Sequence, residues 1–118
     1  MTFRATANAL CKAMPGAEWS EPFGPGDDVW KVGSKMFALM GSNDKGISVK
    51  CPDLETATML KDAGVGTKAP YMHASWIHLP NTTTKDELKH RIAVSYDTIR
   101  SGLTKKAQST LPTREEAI

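Results

Sequence analysis

The chain reads as an α+β protein: a two-layer sandwich in which an antiparallel sheet is covered on one face by an N-terminal and a C-terminal helix. Two observations predict this. Helical apolar stripes stand at the two ends, one at Phe3, Ala7, Leu10, Cys11 and Met14, the other at Leu88, Ile92, Tyr96, Ile99 and Leu103. Between them lie short strand-like runs separated by Gly-, Pro-, Asn- and Asp-rich turns, the pattern of a meander.

Each element has its own signal. Thr2 caps the first helix, which reaches to about Met14, where Pro15 and Gly16 stop it. Glu18 to Phe23 is a first short strand, and Gly24 to Asp28 is a loop by composition. Val29–Val32 and Lys35–Gly41 form strands joined by Gly33-Ser34, the composition of a type II′ hairpin turn. Ser42 to Gly46 is a second turn. In Gly46–Cys51, Ile47, Val49 and Cys51 alternate with Ser48 and Lys50, as in a half-buried antiparallel strand. Asp53 caps a short helix that ends near Asp62, with Gly64 beyond it.

Val65 to Pro70 is irregular, Tyr71 begins an extended segment, and Ser75 to Leu79 is a strand closed by Pro80-Asn81. Thr84 and Glu87 have capping-box spacing and open the last helix, which runs to about Ser101 with Gly102 as its cap. Residues 1–106 form one domain, and 107–118 form a tail or a short extra turn.

The 118 residues suffice for one core without staples, and the net charge of +2 does not by itself imply nucleic acid. No apolar run approaches the roughly 20 residues of a membrane span, and no signal-peptide core stands near residue 1. Cys11 and Cys51 match no metal-ligand spacing and read as small buried hydrophobes in a reducing cytoplasm. No GxSxG, HExxH, P-loop or dinucleotide fingerprint appears, so no enzyme, cofactor or metal is expected.

Charge distribution is more informative than net charge. Lys31, Lys35, Lys45 and Lys50 face a single acid between Lys31 and Cys51, while Glu18, Glu21, Asp27 and Asp28 cluster earlier. Lysines on hairpins suit phosphate contacts, and Lys68, Lys105 and Lys106 extend that footprint. The same lysines equally suit a solvated face and protected sheet edges. Trp76 and His78 share a strand parity opposite Ile77 and Leu79. If Ile77 and Leu79 face the helices, Trp76 and His78 lie on the outer face, and with His73 nearby they form a candidate recognition patch. Burial of Trp76 would remove it.

The stretch Pro22–Leu39, the Gly46–Cys51 run, Ala69–His73 with Trp76, Ile77 and Leu79, and Ser95-Tyr96 with Leu103, Lys105 and Lys106 resemble the blocks of the MmcQ/YjbR family, in order and over roughly residues 2–106. That resemblance implies a frataxin-like (CyaY-like) sandwich and a double-wing, double-stranded-DNA-binding role with mainly electrostatic contacts. It brings no catalytic residues. A frataxin-type iron ridge is not expected, because residues 2–14 contain no Asp or Glu. The runner-up function is a non-enzymatic protein- or small-ligand-binding module using the outer sheet face. A third reading is strand pairing with a partner at a sheet edge.

Overall fold

The structure, a computed structural model, describes residues 2–43 and 45–111. Its elements follow the order α1 (Phe3–Lys12), β1 (Glu18–Ser20), β2 (Asp28–Val32), β3 (Lys35–Met40), β4 (Ile47–Lys50), α2 (Leu54–Asp62), β5 (Thr67–Lys68), β6 (Trp76–Leu79), α3 (Lys85–Ser101) and α4 (Lys105–Ser109). The six strands form one antiparallel sheet in the order β1-β2-β3-β4-β6-β5.

Helix starts follow the sequence signals. Thr2, Asp53 and Thr84 each accept a hydrogen bond from the amide three residues on. Such a cap satisfies one orphan donor and stabilises its helix by about 1 kcal/mol. Register then sorts the strand side chains onto two faces. Trp30, Ala38, Val49 and Ile77 form an inner row, and Val29, Leu39, Ser48 and His78 form an outer one. The inner row joins Ala7 and Cys11 of α1, Ala57 of α2, and Leu88, Ile92 and Tyr96 of α3 in a single core. Each of the larger fully buried side chains stabilises the fold by about 1.5–3 kcal/mol. Phe37 meets Tyr96 edge to face, with ring centroids 5.5 Å apart.

The β2–β3 register steps by one between Trp30 and Lys31, opposite Phe37. This bulge lets the consecutive residues Phe37 and Ala38 both enter the core. On the other side of β3, the Ser95 hydroxyl donates to the Phe37 carbonyl (2.6 Å) and accepts from the Lys50 amide (2.9 Å). It stands where the next β3–β4 ladder bond would fall. The Tyr96 hydroxyl donates to the Pro15 carbonyl at 2.6 Å.

Three expectations are corrected. The segment Val65–Pro70 is not wholly irregular, because Thr67–Lys68 pair with β6 as β5. Gly33 and Ser34 both have positive φ (56° and 69°), so the hairpin turn is type I′, not II′. Tyr71 does not begin a strand; it sits in a turn, also at positive φ. Residues 107–111 continue from the domain as part of α4 and the turn after it: α4 lies under Arg100, which donates to the carbonyls of Gln108 and Leu111, and the Leu111 side chain packs against the core. Residues 112–118 of the expected tail lie outside the described residues.

Arg4, on the helix side, ties α1 to the sheet. It donates to the Asp28 carboxylate at 2.6 Å and to the carbonyls of Gly26 and Gly41 at 2.7 and 2.9 Å. Asp28 also accepts from Asn8 and from the Trp19 indole, while Asn8 accepts from Trp30. Burial works to raise the Asp28 pKa, but the hydrogen bonds from Arg4, Asn8 and Trp19, with the Arg4 charge, outweigh it and hold the carboxyl below its usual range. The folded pKa is depressed. The stabilisation is therefore present above the unfolded value of about 3.9 and is lost as pH falls through the folded value. Urea midpoints measured from pH 6 down to pH 2 should fall more steeply for the natural chain than for Asp28→Asn. Parallel curves would mean that the network contributes no acid sensitivity.

Candidate functional site on the outer sheet face

Among the described residues no helix lies on the outer face of the sheet. Two loops cover its flanks. Residues 21–27 rise beside β2, and residues 69–75 fold back from β5 and β6 until Pro70 and Tyr71 stand over Leu39 and Ser48. Between the loops lies a groove of about 730 Å³ lined by Phe23, Asp27, Met36, Leu39, Gly41, Tyr71 and Met72. It continues into a smaller recess of about 300 Å³ over Leu39, Ser48 and Pro70. The larger volume lies in the range of small-ligand sites. A depression of similar size along the outer side of α2, lined by Leu54, Glu55, Thr58, Met59, Asp62 and Ala63, is open surface.

The walls are built by local chemistry. In the turn Ala69-Pro70-Tyr71-Met72, the Met72 amide donates to the Ala69 carbonyl at 3.3 Å. Proline stands second and a residue at φ 65° stands third, which is the type II composition. That third position favours glycine, yet here it holds a tyrosine whose side chain is fully exposed. Phe23, on the opposite loop, is 71% exposed. The 69–75 loop is stitched at its far end. His73 Nδ1 faces both the amide (3.1 Å) and the hydroxyl (2.9 Å) of Ser75, and Lys50 Nζ donates to that hydroxyl at 2.6 Å. The Cys51 amide donates to the Ser75 carbonyl at 2.8 Å.

The groove's acidic residue is Asp27. It is only 7% exposed, and its carboxylate accepts from the Ser42 amide at 3.0 Å. Among the described residues it has no cationic partner, since the nearby Arg4 is bound to Asp28.

The residues singled out by sequence fall into three groups. Lys31, Lys50, Trp76 and His78 share the outer face, as strand parity requires. Trp76, however, is only 7% exposed, so it is not an accessible recognition residue. Parity assigns a face but not its exposure, and the neighbouring Ser75 is buried as well. Lys50 and His73 meet at Ser75, where the lysine amine is already engaged. Lys35 and Lys45 stand at opposite ends of β3, about 17 Å apart or more by strand rise. The four hairpin lysines therefore form no continuous stripe.

A different basic grouping emerges. The Gly33 turn packs on Leu103, so that a Cβ at Gly33 would stand 2.6 Å from that side chain. This contact puts Lys35 at the same end of the molecule as Lys105 and Lys106 of α4. Sequence reasoning missed the groove itself, because Phe23, Leu39 and Tyr71 belong to three separate segments. The signal that existed was Pro70-Tyr71, a turn with a bulky aromatic where glycine is expected.

Among the described residues no helix is long and apolar enough to cross a membrane. No curated protein matches the chain. Its backbone is similar to the crystal structure of Deinococcus radiodurans protein DR2400, a DUF419 domain, with a TM-score of 0.75 and 22% identity over 87% of this chain and 83% of that one. At that identity the likeness carries the fold alone. The YjbR family model matches residues 12–98, and the chain belongs to the YjbR family.

Proposed function

We propose that this chain is a non-enzymatic binding module whose outer sheet face takes the apolar part of a small ligand. The carrying observation is the groove between Phe23 and Tyr71, floored by Met36 and Leu39. The backbone strain at Tyr71 supports the reading. Holding a non-glycine residue in the left-handed region costs about 1–2 kcal/mol, and such strain concentrates at ligand clamps. A serine hydroxyl beside a histidine is also the arrangement of an activated nucleophile. Ser75, however, is buried, and its hydroxyl serves the loop, which favours binding over catalysis.

Methyl-labelled methionine provides the test. Small neutral aromatic fragments should move the Met36 and Met72 signals and leave Met40, in the core, and Met59, on α2, unmoved. Shifts confined to Met59, or none, would overturn the reading. Tyr71→Gly should weaken fragment binding several-fold while raising stability by about 0.5–1 kcal/mol, the relieved strain less the added unfolded-state entropy. Unchanged fragment affinity in that variant would remove Tyr71 from the site.

One observation favours a second reading, double-stranded DNA: the shared end of Lys35, Lys105 and Lys106, with Lys31 close along β2. Four phosphate contacts imply a loss of roughly a hundred-fold in affinity between about 50 and about 200 mM salt. Fluorescence anisotropy with a labelled duplex measures it, and Lys35→Glu with Lys105→Glu should abolish binding. Affinity that is absent, or indifferent to salt, would end this reading and leave the groove untouched.

A further inference from the structure

The groove is almost wholly apolar, yet a buried carboxylate stands in its wall. Asp27 is more than nine-tenths buried, holds one hydrogen bond from the Ser42 amide, and faces no cation among the described residues. Removing a carboxylate from water is costly, and an opposite charge brought to it offsets that cost. The surroundings reinforce the sign. Glu21 of the same loop accepts from the Gly26 amide and adds a second negative charge to that loop. Lys31 stands across the β2–β3 pair from the floor residue Met36 and across the β1–β2 pair from Glu18. Arg4 gives its charge to Asp28. Two exposed aromatic rings, Phe23 and Tyr71, line the same groove, and aromatic faces attract cations.

The geometry points to an organic cation as the ligand: an alkyl- or arylammonium group held at Asp27 between Phe23 and Tyr71, with its apolar body against Met36 and Leu39. This rests on the groove reading above and adds the charge of the ligand to it. Binding is non-covalent. The carboxylate supplies the counter-charge, the rings supply their π faces, and the floor supplies apolar contact.

The test compares phenyltrimethylammonium with tert-butylbenzene, which has the same shape with carbon in place of the charged nitrogen. Both are titrated against the natural chain, with the Met36 and Met72 methyl signals as the readout. The cation should bind about tenfold tighter or better, a factor set by one desolvated charge pair with aromatic help. Asp27→Asn keeps an oxygen to accept from Ser42 and removes the charge. It should bring the two affinities together while its melting temperature stays near that of the natural chain. Equal affinities in the natural chain would overturn the cation inference and leave the groove standing. Failure of both probes to move either methyl would overturn both. The comparison in the natural chain decides the matter even if Asp27→Asn folds poorly.

Discussion

Ser95→Ala should cost about 3 kcal/mol of folding stability, far more than one exposed hydroxyl. The Ser95 hydroxyl joins two strands: it donates to the Phe37 carbonyl and accepts from the Lys50 amide, and Ser95 is fully buried. Alanine leaves both backbone groups without a partner at a place water does not reach. Each such orphan costs about 1–3 kcal/mol. For a domain of this size the loss corresponds to a fall in melting temperature of roughly 10–15 °C. Ser101→Ala is the control, because that hydroxyl is exposed and bonds only to the Thr98 carbonyl of its own helix; a change within about 0.5 kcal/mol is expected there. Hydrogen exchange gives a local readout, since the Lys50 amide should lose protection selectively. A loss below about 1 kcal/mol with Lys50 still protected would mean that β3 and β4 close the gap themselves.

Gly46→Ala should be at least as damaging, by a different mechanism. Gly46 precedes β4, and a Cβ there would lie 2.0 Å from the Leu79 carbonyl oxygen and 3.0 Å from its carbon. Leu79 is itself paired with Ile47, so the obstacle is backbone held in the sheet rather than a side chain able to rotate away. One end of the β4–β6 pair must separate, with an expected cost of about 3 kcal/mol or more. Gly64→Ala provides the contrast. Gly64 has φ 77° with nothing within 4 Å of its would-be Cβ, so only the left-handed penalty of about 1–2 kcal/mol applies. Urea midpoints of the two variants should therefore rank Gly46→Ala as the more destabilised. The opposite order would show that the β4–β6 junction yields easily.

Both residues mark where sequence reading stops. Ser95 stands beside the apolar stripe of the last helix, and nothing in its neighbourhood along the chain announces that it completes a β ladder. Its partner Phe37 is 58 residues away. Gly46 reads as one more turn residue, and only the approach of β6 makes it obligatory.

The groove has the same character. Phe23 and Tyr71 are each legible as residues of a loop. That the two loops rise on opposite sides of Leu39 depends on the strand order, in which β3 lies between β2 and β4 and the chain returns through β6. Trp76 makes the point in the other direction. Its face followed from alternation along β6, while its burial is a tertiary fact that alternation does not describe.

By itself the sequence determined what acts over a few residues: the helix caps at Thr2, Asp53 and Thr84, the strand parities, the hairpin at Gly33-Ser34, and hence the α+β sandwich with helices on one face. These follow from hydrogen bonds and side-chain periods that span three or four positions. Only the tertiary structure decided the type I′ geometry of the hairpin turn, the Arg4–Asp28 tie, the docking of α4, the burial of Trp76 and the groove on the outer face. The Arg4–Asp28 tie and the groove depend on groups brought together from distant parts of the chain, 24 residues apart for Arg4 and Asp28, as does the Tyr96–Pro15 hydrogen bond, which spans 81. Such contacts form only once loop-closure entropy is offset by the packed core, and no local pattern encodes which groups will then meet.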